Sequence, residues 1–243
     1  MMKPIYKPAG RALEYSPDAL ACNIYTGCPH RCYYCFAPAV LRKDREEFHS
    51  NVAPRNGIVE AVKRQLDAEK ITGKLIHLCF TCDPYPVGYD TTPTREVIAA
   101  IKNAGCHVQI LTKGGVTATR DFDLLDGEDW FGVTITGQFH NNQSEPKAAS
   151  FAENLMTIEK AKNRQLKTWV SVEPALDAEN IFNLIQSNHP IDLFRIGKLN
   201  YHPIGIDWAA FGHECERLCR EHGREYYIKA DLRAEMAKGE KPC

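Results

Sequence analysis

The stretch "ACNIYTGCPHRCYYCFAP", residues 21–38, joins a short apolar run to a loop that carries three cysteines. Residues 21–27 have the length and apolar content of a buried β-strand. Cys28, Cys32 and Cys35 follow at once, with the spacing C-x3-C-x2-C. In folds built from βα units, the loops that leave the carboxyl ends of the strands carry the chemistry. The stretch therefore predicts a parallel sheet with a functional site at its carboxyl edge.

Further apolar runs of strand length alternate with segments of helical period along the whole chain. Strands are predicted at 74–80, 106–112, 131–136, 167–173, 191–198 and 225–230. Helices are predicted at 57–70, 93–105, 147–165, 177–188 and 206–223. Repeated βα units imply parallel strands and right-handed crossovers. We expect an α/β fold, a partial (β/α)6-type TIM barrel with the cysteine loop after its first strand. A doubly wound open sheet has the same periodicity.

Size and composition fit one globular domain: 243 residues, 44% hydrophobic and 25% charged. We expect a single domain over 1–243, with an N-terminal extension at 1–20, the barrel core at 21–230 and a C-terminal tail at 231–243. The formal charge of −1 gives no global positive field, so nucleic-acid binding would need a local patch. Because the chain has no apolar run of about 18 residues and no signal-like start, it is predicted to be cytoplasmic, without membrane contact.

Ten cysteines suggest reduced thiols and a metal centre rather than disulfides. Thiolates bind zinc, copper(I) or iron–sulfur clusters. A structural zinc ion needs a fourth ligand; His30 lies too close to the cysteines in the chain for an easy contact, and His49 is possible but distant. A cubane 4Fe–4S cluster can instead take three cysteines and leave one iron open. Zinc-bound or purely structural cysteines remain the alternative.

The cysteine spacing, the aromatic Tyr34 before the third cysteine and the loop's place after a first strand resemble the radical S-adenosylmethionine enzymes. The resemblance implies that Cys28, Cys32 and Cys35 bind a 4Fe–4S cluster whose open iron chelates S-adenosylmethionine. Reductive cleavage would then give a 5′-deoxyadenosyl radical that removes a hydrogen atom from a substrate. The resemblance also implies a reductase or a flavodoxin/ferredoxin-type electron donor as partner.

Four later segments resemble spore photoproduct lyase and its lyase-like relatives. They are "LCFTCDPYPVGYDTTPTREVIAAI" (78–101), "ILTKGG" (110–115), "GVTIT" (132–136) and "VSVEPALD" (170–177). The resemblance implies five contacts to S-adenosylmethionine: Phe36 near the adenine, Asp83 near the methionine amine, Lys113 at the carboxylate or ribose, Thr134 at the ribose, and Glu173 through its carboxylate or backbone. Lys113 can also be read as a solvated strand-end lysine, and Thr134 as an ordinary strand residue.

One departure from the lyase pattern concerns its hydrogen-atom donor, a cysteine near the end of the second strand. Alignment on Thr81 and Asp83 puts Phe80 at that position, and Cys79 and Cys82 flank it. If 74–80 is a strand, Cys79 and Phe80 face opposite sides, and Cys82 begins the loop on the cluster face. Cys82 is therefore the predicted catalytic thiol, although a buried thiol or a plain loop residue fits equally well.

Three functions stay open on this sequence. The first is a radical enzyme acting on a nucleic-acid base, with DNA or a nucleotide as partner. The second is the same chemistry on a small molecule or peptide, and the third is a zinc-stabilised nucleic-acid-binding module without catalysis.

The last long predicted helix carries Cys215 and Cys219, four residues apart and therefore on one face of the helix. We interpret them as a pair that faces the core.

Overall fold

The computed structural model describes residues 3–15, 18–137 and 141–239, and Cys243 lies outside them. Within these ranges the fold is built on one eight-stranded sheet, with the strands in chain order. The strands are β1 (Ile5–Tyr6), β2 (Leu20–Cys22), β3 (Leu75–Leu78), β4 (His107–Thr112), β5 (Trp130–Thr134), β6 (Lys167–Val172), β7 (Leu193–Ile196) and β8 (Glu225–Ile228). β1 is antiparallel to β2, and all later pairs are parallel.

The helices that connect these strands cover one face of the sheet. In the described ranges they are α1 (Ala37–Leu41), α2 (Arg45–Ser50), α3 (Ile58–Ala68), α4 (Thr92–Asn103), α5 (Asn141–Ser144), α6 (Phe151–Asn163), α7 (Ala178–Gln186), α8 (Trp208–Glu221) and α9 (Ala230–Gly239). Two 3-10 helices, Gly10–Tyr15 and Gly115–Leu124, complete the set. All the predicted strands and helices are confirmed, with ends that shift by up to five residues; the first predicted strand, 21–27, is present only as Leu20–Cys22. The crossover from β4 to β5 is a 3-10 helix that the sequence did not predict.

The strand order decides between the two predicted topologies. A doubly wound sheet changes direction at a switch point, and this order has none. With right-handed crossovers and monotonic order, all the helices lie on the same side and the sheet curves around its other face. Because β1 and β8 are the two ends of the order, the barrel is open. The predicted partial TIM-type barrel is confirmed.

Local sequence fixes where the core-facing helices begin. Ser150 starts α6 with a capping box: its hydroxyl accepts from Glu153 N at 3.3 Å, and the Glu153 carboxylate accepts from Ser150 N at 2.9 Å. Asp177 and Asp207 cap α7 and α8: the side chain of each accepts a hydrogen bond from the backbone amide three residues later. Such caps satisfy amide groups that a helix end leaves without partners. They place each helix directly after the loop that leaves a strand.

The two faces of the sheet differ in polarity. Ile76 and Leu78 of β3 belong to the apolar core that contains the buried helix residues. His77 between them points to the other face, because side chains alternate along a strand. There its Nδ1 bonds to Gln109 Oε1 at 3.1 Å. The inner face is therefore partly polar, which is unusual for a core that only has to pack.

The segment Gly10–Tyr15, which we name the strap, lies against this inner face. The ring of Tyr15 is 5.6 Å from that of His77 and 5.8 Å from that of Trp169, measured between centroids. The Arg195 guanidinium donates to Glu14 O. None of the strap residues is fully buried. The strap thus fills the concave side of the sheet without joining the apolar core.

The C-terminal helices close the outer layer. Cys215 and Cys219 are both fully buried, which confirms the predicted core-facing pair on α8. α9 packs on α8 so closely that a Cβ on Gly212 would lie 2.6 Å from Met236. None of the helices in the described ranges is long and apolar enough to cross a membrane.

Gly132 in β5 gives a test of the inner-face packing. An added Cβ there would lie 2.3 Å from Trp169 Nε1, and this indole is fixed by a 3.0 Å bond to Ile110 O. We expect Gly132→Ala to lower the free energy of unfolding by about 1–3 kcal/mol, as overpacking does, measured by urea denaturation. Gly205→Ala is the matched control, because nothing lies within 4 Å of its added Cβ. Equal urea midpoints for the two variants would show that the packing account is wrong.

Candidate active site at the carboxyl edge of the sheet

The three cysteines lie in the loop between β2 and α1. Cys32 is 7% exposed, and Cys28 and Cys35 are half-buried. Burial raises the pKa of the Cys32 thiol to about 12, and it also raises the pKa of the other two. Each member of the trio lies close enough to another for their charges to oppose ionisation. Three thiolates can therefore exist here only beside a strong positive charge, such as that of a metal centre.

The spacing of the sulfurs distinguishes between kinds of metal centre. Three thiolates on one tetrahedral zinc ion would have sulfurs about 3.8 Å apart, given Zn–S bonds of about 2.3 Å. Among the described residues, the group with ligand atoms within 4.8 Å of one another is His107, Asp126 and Asp129, and the three cysteines do not form such a group. A cubane, in which each thiolate binds its own iron, does not require the three sulfurs to lie so close together.

The two histidines considered as a fourth zinc ligand are fixed through one ring nitrogen each. His49 Nδ1–H donates to Cys28 O at 2.8 Å, and its Nε2 is buried without a hydrogen-bond partner among the described residues. His30 Nε2 accepts from Val87 N at 3.2 Å, so its proton is on Nδ1, which faces Asp83 Oδ2 at 3.5 Å. Burial lowers the pKa of His30, which keeps the ring neutral. Among the described residues, no group of three ligand atoms within 4.8 Å of one another joins either histidine to the cysteines. This donor set therefore fits a cluster with an open iron better than a closed zinc site.

Backbone contacts fix the shape of the cysteine loop. Arg45, at the start of α2, donates to the carbonyls of Cys35 at 3.1 Å, Tyr33 at 2.7 Å and Cys32. At the other end, Cys28 N donates to Phe48 O at 3.3 Å. A Cβ on Gly27 would lie 2.2 Å from Phe48 O, so only glycine permits this close approach. The short helix α2 thus acts as a brace for the loop.

Asp83, after β3, joins this loop to the neighbouring strand ends. Its carboxylate accepts from Thr112 Oγ1 at 2.6 Å, Lys113 N at 2.8 Å and Tyr85 N at 2.8 Å. The side chain is 9% exposed and faces His30 of the cysteine loop. The structure therefore brings Asp83, Lys113 and the three cysteines to one place, as expected for residues at the carboxyl ends of parallel strands.

Glu145 is a site residue that sequence reasoning missed. It is 2% exposed, and its Oε1 lies 3.8 Å from Lys113 Nζ. The hydroxyl of Tyr34 also bonds to this carboxylate. Burial acts to lower the pKa of Lys113, but the charge of Glu145 helps to raise it, so the ammonium stays charged. In the sequence, Glu145 is a carboxylate in the polar segment after β5. Its partners Lys113 and Tyr34 lie far away in the chain, so the sequence did not indicate that the three residues meet.

The remaining predicted cofactor residues lie on three different segments of the chain. Thr134 is the last residue of β5 and is buried, whereas Phe36 precedes α1 and is 52% exposed. Glu173 follows β6 and accepts from Tyr15 OH at 2.6 Å and from Arg11 Nη2 at 3.1 Å. The buried ammonium of Lys229 donates to the same carboxylate. Glu173 therefore belongs to a second polar group, between the strap and β8.

The environment of Cys82 differs from what the strand pattern predicts. β3 ends at Leu78, and Cys79 takes a left-handed conformation with φ +71°. The ring of Phe80 then stacks on His77 at 4.1 Å, so it lies on the inner face. Cys82 is half-buried, and its sulfur accepts from Tyr25 N at 3.4 Å. Burial acts to raise the pKa of Cys82, but hydrogen bonds from Cys79 and Tyr25 lower it overall.

Arg45 gives a test of the loop brace. Arg45→Met removes three bonds to backbone carbonyls, and bonds to charged groups contribute about 1.5–3 kcal/mol each in buried settings. Because Arg45 is half-buried, we expect a smaller net effect: loss of cluster iron to a chelator about tenfold faster, equivalent to about 1.4 kcal/mol. Arg64→Met on the exposed side of α3 is the control. Identical rates of iron loss would argue against the brace.

Comparison with known proteins agrees with this geometry. The family model "Radical SAM superfamily" matches residues 22–181. "Uncharacterized protein ORF301" of Acidianus two-tailed virus is 30% identical over 173 residues, which are 65% of this chain and 56% of the viral protein. The chain thus spans little more than half of that relative's length.

Two solved structures show the same fold at low identity. A spore photoproduct lyase variant with bound AdoMet and dinucleoside spore photoproduct has a TM-score of 0.67 and 14% identity, covering 89% of this chain and 78% of the lyase. Streptococcus suis SuiB bound to precursor peptide SuiA has a TM-score of 0.62 and 12% identity, covering 93% and 53%. The family match covers more than half of the 243 residues. The chain belongs to the radical SAM superfamily.

Proposed function

We propose that this enzyme reductively cleaves S-adenosylmethionine at a 4Fe–4S cluster and uses the resulting radical to abstract hydrogen from a nucleic-acid base. The observation that carries the proposal is the cysteine trio beside Asp83 and Lys113, whose three sulfurs do not all lie within 4.8 Å of one another. When bound, the cluster and S-adenosylmethionine would supply the electron and the 5′-deoxyadenosyl radical. A reductase or a flavodoxin/ferredoxin-type protein would deliver the electron.

In this proposal the residues at the carboxyl edge bind and orient the cofactors. Cys28, Cys32 and Cys35 hold three irons. Asp83 faces the methionine amine, and the charged Lys113 faces the methionine carboxylate or the ribose. Opposite charges on the two ends of an amino acid match this pair.

Three further residues complete the proposed cofactor contacts. Thr134 offers its hydroxyl to the ribose. The ring of Phe36, half-exposed beside the third cysteine, lies against the adenine. Glu173 provides a carboxylate or backbone contact from the β6 side. Its existing bond to the buried ammonium of Lys229 holds it in place for that role.

A base as substrate is supported by the aromatic rim of the site. Tyr33 is 39% exposed and its ring contacts that of His202 at 5.2 Å, which links the cysteine loop to the loop after β7. Tyr201 in that loop is 90% exposed. Exposed aromatic rings are the usual platforms for stacked bases. The lyase structure with its dinucleoside photoproduct supports the same substrate class, whereas SuiB with its precursor peptide makes a peptide the alternative.

The cofactor chemistry has a direct test. Anaerobically purified protein should contain about four irons with equal sulfide and should release 5′-deoxyadenosine from S-adenosylmethionine on reduction. Cys28→Ala, Cys32→Ala and Cys35→Ala should each abolish this cleavage. Cys106→Ala, a buried cysteine far from the loop in the chain, should retain it. Zinc without iron or sulfide would instead support the non-catalytic module.

The substrate and the role of Cys82 can be tested together. Deuterated DNA, nucleotides and peptides should be screened for transfer of label into 5′-deoxyadenosine, with transfer expected from a base. In the productive reaction, Cys82→Ala should leave cofactor cleavage intact but change the product, because the substrate radical loses its hydrogen donor. Cys22→Ala, a buried thiol nearby, is the control. An unchanged product would exclude Cys82 as donor, and label from peptides alone would exclude the base.

A further inference from the structure

We propose that the strap is displaceable, and that Tyr15 occupies the place of a planar heterocyclic ring of the substrate, a nucleobase. This rests on the proposed function and adds to it a binding site on the inner face of the sheet. The site is formed by His77, Phe80, Trp169 and Arg195, which we name the ring site.

Aromatic rings enclose the Tyr15 side chain on several sides. Its ring centroid lies 5.6 Å from those of His77 and Phe80 and 5.8 Å from that of Trp169. His77 and Phe80 stack on each other at 4.1 Å. The Lys229 ammonium lies 4.1 Å from the centre of the Tyr15 ring. An enclosure of this kind suits a flat aromatic ring, whether it belongs to a tyrosine or to a base.

Polar atoms of the ring site are not used by Tyr15. His77 Nδ1–H donates to Gln109 Oε1, which leaves Nε2 as an acceptor, and burial lowers the pKa of His77 to about 4, so the ring is neutral. His77 Nε2 and the donor Arg195 Nε are buried without hydrogen-bond partners among the described residues. Buried polar groups are normally paired. Thymine carries both a ring N–H donor and carbonyl acceptors, whereas the edge of a tyrosine ring has neither.

The strap is held by contacts that can be exchanged. Arg11 bonds to Glu173 at 3.1 Å and to Asp231 at 2.6 Å, and Glu14 accepts from Ala230 N at 2.8 Å. No strap residue is fully buried. Tyr15 OH also donates to Glu173 at 2.6 Å, and Arg195 donates to Glu14 O. Polar contacts of this kind are weak compared with apolar burial, and a bound base would replace the ring contacts that Tyr15 gives up. The strap can therefore leave without opening the core.

The neighbouring β1 shows the contrast. Ile5 is 3% exposed. Its backbone N–H donates to Gln65 Oε1 at 2.9 Å, and its carbonyl accepts from Gln65 Nε2 at 2.8 Å. β1 therefore stays on the sheet when the strap moves. The strap bonds to Glu173, which follows β6 at the same carboxyl edge that carries Asp83 and Lys113. Release of Tyr15 uncovers His77 and Phe80, which lie on the β3 segment that leads to Asp83.

The test measures ring binding rather than catalysis. Equilibrium dialysis of radiolabelled thymidine against the cluster-loaded full chain gives a Kd for each variant. Tyr15→Ala, which empties the ring site, should bind thymidine at least tenfold more tightly than the wild type. Tyr15→Phe keeps the ring but loses the bond to Glu173, so its Kd should stay near that of the wild type. Thermal unfolding followed by circular dichroism establishes that each variant is folded.

A second substitution locates the binding. Adding His77→Phe to Tyr15→Ala keeps the aromatic stack but removes the free acceptor, and the gain in affinity should be lost. The inference is overturned if folded Tyr15→Ala binds no more tightly than the wild type, if Tyr15→Phe gains equally, or if the gain survives His77→Phe. Because dialysis needs no turnover, these results are independent of whether S-adenosylmethionine is cleaved.

Discussion

The carboxylate of Asp83 is the contact on which the arrangement of the site depends. It accepts hydrogen bonds from its own loop through Tyr85 N and from the end of β4 through Thr112 and Lys113, while it faces His30 in the cysteine loop. Three segments far apart in the chain therefore meet at one buried anion. A buried charge of this kind is tolerable only while its partners stay in place. The folded protein therefore holds the cysteine loop at a fixed position relative to the strand ends.

Buried polar groups lie on both sides of the open barrel. On the β4–β5 side, Lys113 and Glu145 face each other beside Tyr34. On the β6–β8 side, Lys229 and Tyr15 both bond to Glu173. Charged groups that are already fixed in a low-dielectric interior need little rearrangement to bind a charged ligand. The carboxyl edge thus carries polar groups at fixed positions, whereas the layer beneath the helices is apolar. The apolar layer stabilises the fold, and the polar edge carries the candidate site.

The openness of the sheet gives the strap its place. A closed barrel would fill its own interior with side chains from opposite strands. Here β1 and β8 remain unpaired with each other, and the Gly10–Tyr15 segment covers the concave face instead. A polar segment in that position, bonded to residues that follow β6 and β8, couples the N-terminal part of the chain to the carboxyl edge. Occupancy of the concave face can then change without any change in the sheet.

The sequence by itself determined the alternation of strands and helices, the order of the motifs and the three-cysteine loop, because periodicity and ligand spacing are local properties of the chain. It placed Asp83 and Lys113 at neighbouring strand ends for the same reason. It did not find Glu145, the early end of β3 at Leu78 with Cys79 at positive φ, or Tyr15 on the inner face. Those depend on which distant segments meet once the sheet curves, and curvature and closure follow from the packing of whole layers rather than from any one stretch of residues.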